Sequence, residues 1–405
     1  MTQKIKQITG GLSTIEGIKM AGTREGKYGV CLIVNENPNS TAAGVFTSNK
    51  VVAAPVTLTK ENIKNGKISA IIANSGNANC FTGKEGMENA KSLIKTVSNK
   101  LNIPKNDIAI GSTGVIGREM PMDIITPLLE KNCLNLSNSQ EASLDVAKSI
   151  MTTDTVPKEI AVETTLETGE TIKIAGVIKG SGMIAPNVAT MLCFLFTDVK
   201  ASHEELSTIL KEIADDTFNM LIIDGDESTN DTVTLLSTNK YGKIDNNFKE
   251  ALKYVCMELA RMMAKDAEGA TKYFEVIVEG AKSHEDARAA ARSVALSPLV
   301  KTAIFGSDPN WGRIVTAVGY SGCDLDTDKI TIKLMSNLSD DVAVMVDKGN
   351  ILGFEGTDVL TRAENIMKNQ EVIVYVDLGL GKYNSKAFAC DLTYDYVKIN
   401  AEYTT

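Results

Sequence analysis

The chain has 405 residues, a prior of two to four domains at roughly 100–200 residues each. Its 42 Lys and Arg against 51 Asp and Glu leave a net charge of −9, which argues against a nucleic-acid or anionic-membrane partner, since phosphate binding needs a basic face. A 43% hydrophobic and 23% charged composition is that of a globular protein with apolar mass for real cores, but only two histidines are available to any mechanism.

From the N-terminus, residues 1–11 contain no apolar core of a secretory signal, and uninterrupted apolar runs such as 191–196 fall far short of a membrane span. A cytoplasmic location is expected. Residues 28–34 and 68–74 are short apolar runs bounded by Gly and Asn, so both read as buried strands. Met87, Ala90, Ile94, Val97 and Leu101 recur at spacings of three and four, which predicts an amphipathic helix over 85–102. Strands follow at 159–166 and 171–178, joined by Glu167-Thr-Gly-Glu170 as a hairpin turn. Next come an apolar run over 190–199, a helix over 202–221, a strand near 232–237, a helix over 248–265 and a strand over 273–279. A further helix-and-strand set fills 283–400, including strands at 329–335 and 371–378, so the class is α/β or α+β with several sheets.

The histidines sit in Ser202-His-Glu-Glu205 and Ser283-His-Glu-Asp286, each a capping pattern with a carboxylate three residues after the Ser. Both read as first-turn residues, which disfavours a histidine-based triad or metal site. Seven scattered cysteines without a C-x-x-C pair read as reduced, buried thiols. The only tryptophan, in Asp308-Pro-Asn-Trp-Gly312, reads as part of a packed turn.

Four stretches interrupt the periodic pattern with small and polar residues: Ala73-Asn-Ser-Gly-Asn-Ala-Asn79, Gly111-Ser-Thr-Gly-Val-Ile-Gly117, Lys179-Gly-Ser-Gly-Met-Ile-Ala-Pro-Asn187 and Asp224-Gly-Asp-Glu-Ser-Thr-Asn-Asp231. Any one of them fits a surface turn as well as a ligand-binding loop. None carries either common nucleotide-binding glycine motif. The third delivers Thr190 to the head of a very apolar run. Thr190 is either a β-branched residue opening a strand or a nucleophile whose base is its own α-amino group, freed by cutting the bond before it. Such an amine has a pKa of roughly 7.7–8.0, so part of it is neutral near working pH.

At these residues the sequence resembles the ornithine acetyltransferase (ArgJ) family of arginine biosynthesis. The resemblance is carried by Lys179-Gly-Ser-Gly-Met-Ile-Ala-Pro-Asn-Val-Ala-Thr-Met-Leu192, where Val188 stands in place of an expected Met. In chain order it is joined by Asn74–Asn79, Ser112–Gly117, Met151-Thr-Thr-Asp-Thr155, Gly225–Asp231, Ser307-Asp-Pro-Asn-Trp-Gly-Arg313 and the ending Asn400-Ala-Glu-Tyr-Thr-Thr405. The resemblance implies an N-terminal-nucleophile-like layered α/β sandwich of the ArgJ/DmpA type with a C-terminal α/β subdomain at about 283–405. It implies a precursor cut between Ala189 and Thr190 into chains 1–189 and 190–405, assembled as α2β2. The implied reaction carries the acetyl group of N-acetylornithine to glutamate through an acetyl-Thr190, with Thr113 and Gly114 as the oxyanion hole. Thr153, Lys179, Thr190, Glu268, Asn400 and Thr405 are the implied substrate-binding residues. No cofactor or metal is implied, and acetyl-CoA is an optional co-substrate, since some members of the family also acetylate glutamate from it. Competing expectations are an amidase or aminopeptidase with the same nucleophile but water as acceptor, and an unprocessed amino-acid-binding protein.

Overall fold

The strand Leu192–Lys200 explains the long apolar run that precedes the first histidine, because it is buried on both faces. Leu192, Phe194 and Phe196 point into one core. The alternate residues lie on the opposite face, where Gly176 on the neighbouring strand faces Leu195 as well as Leu259 and Val255 of the helix Asn246–Lys265. A strand covered on both sides reads as continuous hydrophobicity instead of alternation.

The computed structural model describes residues 5–185 and 191–402. They divide into two compact units, one of residues 5–183, 191–219 and 226–263, the other of 184–185, 220–225 and 264–402.

The first unit contains two sheets. A six-stranded sheet has the order Ile5–Ile8, Lys158–Thr165, Thr171–Lys179, Leu192–Lys200, Thr232–Lys243, Thr41–Phe46. A four-stranded sheet runs Ile18–Glu25, Tyr28–Asn35, Ala70–Ser75, Ile108–Ser112. Met20, Cys31, Ile33, Ile71 and Ala73 of the smaller sheet share a core with Ala175, Val177, Phe194 and Phe196 of the larger, so the sheets stack face to face. On its other face the smaller sheet packs Val30, Leu32 and Ile72 against the helices Gly83–Leu101 and Met122–Leu134. The order of layers is helix, sheet, sheet, helix, a mixed α/β fold as expected.

The second unit is built on a seven-stranded sheet, Leu221–Ile222, Tyr383–Cys390, Tyr273–Ala281, Glu371–Asp377, Thr331–Ser336, Ser339–Asp347, Asn350–Ile351. The helices His284–Leu296, Trp311–Gly319 and Asp358–Met367 share its core. Trp311 packs against that core and donates its indole N–H to Gly353 O at 2.8 Å, in keeping with a structural part.

Most elements fall where periodicity places them. The helix predicted over 85–102 spans Gly83–Leu101, and the predicted hairpin pairs Lys158–Thr165 with Thr171–Lys179. The helix predicted over 202–221 instead stops at Asp216. Thr217 leaves helical geometry at φ −125°, ψ −80°, and its hydroxyl caps Ile213 O. Leu221 and Ile222 then pair with Phe388 and Ala389 as a strand. An apolar run that serves a helix in the pattern serves a sheet in the structure.

All seven thiols are free, six of them buried. Burial pushes the Cys31 thiol up to about 12, which keeps it protonated and unreactive. Among the described residues no helix is long and apolar enough to cross a membrane.

One glycine limits how the smaller sheet meets the helix Gln140–Ser149. A Cβ on Gly29 would lie 1.9 Å from the backbone oxygen of Ser149. Gly29→Ala is expected to destabilise the protein by about 3 kcal/mol, the upper part of the usual overpacking range, read as a lower urea midpoint. A shift below about 0.5 kcal/mol would show that the helix moves aside freely.

Candidate active site

The register of the two sheets sets the site. Ala70–Ser75 and Ile108–Ser112 are parallel, with Asn74 opposite Ser112, so both chains leave the smaller sheet at the same end. In the larger sheet Lys179 pairs with Leu192, and Leu192 with Thr232, placing the end of one strand beside the starts of two others. All of these positions belong to the first unit.

The two loops leaving the smaller sheet are zipped together. Ser112 Oγ donates to Asn74 Oδ1 at 2.6 Å, Asn74 Nδ2 to Asn77 O at 2.9 Å, and Thr113 N–H to Asn74 O at 2.9 Å. Gly114 has φ +132°, and a Cβ there would lie 2.4 Å from the carbonyl carbon of Gly76. No L side chain fits that position, either by conformation or by space.

Lys179, only 3% exposed, donates from Nζ to Thr113 Oγ1 at 3.2 Å. A hydroxyl that accepts from a lysine keeps its own hydrogen available for a third group. Thr113 and Lys179, both expected in the site, are thus in direct contact. Thr153 joins them through the glycine-rich stretch, its Oγ1 lying 2.7 Å from Ser181 Oγ.

Beneath this cluster lies a charge arrangement that the sequence did not disclose. Asp154 Oδ1 accepts Lys158 Nζ at 2.7 Å and Gly180 N–H at 2.7 Å, and Asp154 Oδ2 accepts Thr152 N–H at 3.0 Å. Burial by itself would raise this carboxyl, but the Lys179 and Lys158 charges and the hydrogen bonds hold it down at about 2. Lys158 is only 1% exposed. Two buried ammonium groups thus lie at this end of the sheet, and a lysine can hold a carboxylate ligand as a point charge.

Where the apolar strand begins, Met191 N–H donates to Asp231 Oδ1 at 2.9 Å. Burial pushes the Asp231 carboxyl well above the ordinary carboxylate range. Its neighbour Asn230 is also buried and bonds to the zipped loops. Asp154, Lys158, Ser181, Asn230 and Asp231 were missed as functional residues. Asp154 and Asp231 lie inside recognised blocks, yet nothing in the chain says that they are buried or what faces them.

The second unit brings two other expected residues together. Asn400, on the helix Tyr394–Ala401, donates from Nδ2 to Glu268 Oε2 at 3.0 Å. Thr393, which caps that helix, donates from Oγ1 to Gly269 O at 2.7 Å and so fixes the segment carrying Glu268. Ala189, Thr190 and Thr405 lie outside the described residues.

The histidines are first-turn residues, as expected. Ser202 and Glu205 form a complete capping box, and Ser283 accepts from Asp286 N–H. Both rings are half-buried instead of solvated, and His203 Nδ1 lies 2.7 Å from Ala42 O. Among the described residues no group of three or more His, Cys, Asp or Glu could hold a metal ion.

Comparison with known proteins adds four findings. Residues 15–405 match the ArgJ family. The chain is 56% identical over 404 residues to a glutamate N-acetyltransferase of Methanothermobacter thermautotrophicus, covering 100% of both chains. It is 50% identical over 408 residues to a glutamate N-acetyltransferase of Methanocaldococcus jannaschii, covering 99% of this chain and 100% of the other. Among solved structures it is similar to ornithine acetyltransferase complexed with ornithine from Mycobacterium tuberculosis, at 30% identity and a TM-score of 0.42, over 46% of this chain and 100% of that one.

The lowered Asp154 pKa makes a pH prediction. A carboxyl depressed in the folded state stabilises it above the unfolded pKa and loses that contribution as pH falls through the folded value. The advantage of the wild type over Asp154→Asn should be full above about pH 5, on the order of 2 kcal/mol for a shift of this size. It should narrow from pH 4 toward 2, as read from urea unfolding at each pH. An advantage that stays constant down to pH 3 would rule out an ionised Asp154 as its source.

Proposed function

The chain belongs to the ArgJ family, and we propose that it frees Thr190 by cutting its own backbone and then uses it to carry acetyl from N-acetylornithine to glutamate. Its activity is that of a glutamate N-acetyltransferase of arginine biosynthesis, as in the relatives it matches over full length. The observation that supports the acyl-transfer mechanism most is the contact of Lys179 with Thr113, next to a Gly114 where only glycine fits.

In the proposed processing step, Thr190 Oγ attacks the Ala189 carbonyl and the acyl group shifts from nitrogen to oxygen. Water then hydrolyses the ester, leaving a carboxylate on Ala189 and a free α-amino group on Thr190. In the first transfer step that amine takes the hydroxyl proton as Oγ attacks the acetyl carbonyl of N-acetylornithine. The oxyanion that forms accepts hydrogen bonds from the Thr113 hydroxyl and the Gly114 N–H. Collapse breaks the amide C–N bond, and the Thr190 ammonium returns its proton to the departing amine of ornithine. The neutral amine of glutamate attacks acetyl-Thr190 in the same hole; the Thr190 α-amine takes its proton and passes it to Oγ as the ester C–O bond breaks, releasing N-acetylglutamate and the threonine hydroxyl.

Lys179 and Thr153 are assigned to the substrate, Lys179 as a point charge for an α-carboxylate. Glu268, Asn400 and Thr405 are assigned to the remainder, with Glu268 pairing the side-chain ammonium of ornithine. The processed chains are proposed to assemble as α2β2 in the cytoplasm, a location in keeping with seven free thiols. Acetyl-CoA is the optional second acetyl source.

On denaturing electrophoresis the wild type should give two bands, of 189 and 216 residues, the latter being 405 − 189. Thr190→Ala should give one full-length band without transferase activity. A wild-type chain that remains whole sinks the mechanism. Acetylornithine hydrolysis that glutamate cannot divert would identify an amidase instead. Glu268→Gln should raise KM for N-acetylornithine about fivefold, near 1 kcal/mol, with kcat little changed. An unchanged KM would remove Glu268 from the ammonium site.

A further inference from the structure

The dipeptide Asn230-Asp231 opens the strand Thr232–Lys243, and each of its side chains reaches a different part of the site. Asn230 is buried and its Nδ2 donates twice, to Ala78 O at 2.6 Å and to Ser112 O at 2.9 Å. Its Oδ1 accepts Thr229 Oγ1 at 2.6 Å, and its own N–H donates to Ser228 Oγ at 3.1 Å. Two carbonyl oxygens on one side and a hydroxyl on the other admit a single orientation of the amide, so the side chain is fully specified. Ser112 is the residue before Thr113, and Ala78 belongs to the loop whose Gly76 abuts Gly114.

Asp231 turns the other way. Its Oδ1 takes Met191 N–H at 2.9 Å, and Thr232 N–H donates to Met191 O at 3.1 Å, so the backbone of Met191 is held at both its donor and its acceptor. Burial pushes the Asp231 carboxyl well above the ordinary carboxylate range, and Oδ1 serves Met191 as a hydrogen-bond acceptor in either protonation state.

The loops of the smaller sheet are already zipped to one another through Asn74. What they need is registration against the larger sheet, where the residue after the proposed nucleophile sits. Lys179 supplies one such tie through Thr113 Oγ1, but a lysine is flexible and that contact is long, at 3.2 Å. Two adjacent short side chains on one backbone give a far stiffer link.

We infer that Asn230 and Asp231 form a positioning clamp, Asn230 fixing the loops that carry Thr113 and Gly114 and Asp231 fixing Met191, so that oxyanion donors and nucleophile keep one distance. The inference rests on the acyl-transfer function proposed above. The role proposed for both residues is positioning, not contact with the reacting atoms. Their effect is on geometry, where a displacement near 1 Å is worth about 100-fold in rate.

The test compares Asn230→Ala, Asn230→Asp, Asp231→Ala and Asp231→Asn with the wild type. Acetyl transfer is measured on the processed protein, with the rate of self-cutting and the thermal midpoint beside it. Both Asn230 variants should lower kcat and kcat/KM alike, by about 100-fold, with KM for N-acetylornithine within about threefold, and self-cutting should slow as well. Asp231→Asn keeps an acceptor for Met191 N–H and should rescue most of the kcat that Asp231→Ala loses. A purely structural role would lower the midpoint and leave kcat per folded, processed molecule at the wild-type value, which overturns the clamp. If the Asn230 variants do not fold, the Asp231 pair decides: equal losses in Asp231→Ala and Asp231→Asn overturn it, and rescue supports it. A wild type that transfers no acetyl group overturns the function itself, whereas wild-type transfer with unimpaired Asn230→Ala overturns the clamp alone.

Discussion

The site depends on one carboxylate shared between two buried lysines. An ammonium group taken out of water without a partner costs several kcal/mol, and the first unit buries two of them at one end of its larger sheet. Asp154 makes this tolerable by accepting Lys158 directly and by lowering the potential at Lys179. Lys179 is the lysine whose Nζ also reaches Thr113. The same carboxylate takes Gly180 N–H, which fixes how the chain leaves its strand toward the glycine-rich stretch. Charge for the substrate, orientation of Thr113 and the path of the loop thus share one buried group.

The layered architecture puts that group where it is useful. Parallel pairing of Ala70–Ser75 with Ile108–Ser112 sends two loops out at one end, and the antiparallel pairing of Lys179 with Leu192 brings a strand end and a strand start together. The two sheets stack through Phe194, Phe196, Ile71 and Ala73, a dry contact that leaves little freedom to slide. Polar segments at the rim of such a stack are positioned by the core beneath them. The helix-to-sheet spacing is tightened further by Gly29, which lets a helix carbonyl sit almost on the strand.

Legibility varied with the kind of signal. The helix Gly83–Leu101 and the hairpin Lys158–Thr165 with Thr171–Lys179 were legible because their apolar periods and turn chemistry are local. The α-helix predicted to reach 221 ends at Asp216, and after a 3-10 turn over Phe218–Met220 Leu221 and Ile222 find strand partners 167 residues away, at Phe388 and Ala389 (388 − 221 = 167). In the site, Thr113, Gly114 and Lys179 lie in the motif stretches and Thr153 was implied by the resemblance, and all four fall in one unit. Glu268 and Asn400, known only through resemblance, proved to be hydrogen-bonded neighbours. Asp154, Asn230 and Asp231 lie in recognised blocks, but their burial and that of Lys158 carried no local mark, because an aspartate in a polar loop looks the same whether it is solvated or enclosed.

By itself the sequence determined the class of fold, the scarcity of histidine that directs attention to a base outside the side chains, and the segments from which a site could be built. Those properties follow from composition, period and local motif. Tertiary structure alone decided which charges are buried and which backbone groups they hold. It also decided that Gly114 must be glycine and that Asn230 and Asp231 face opposite ways. The reason is physical: burial and hydrogen-bond partnership are set by residues distant in the chain, such as Ser112 for Asn230 and Met191 for Asp231. No window of sequence contains them.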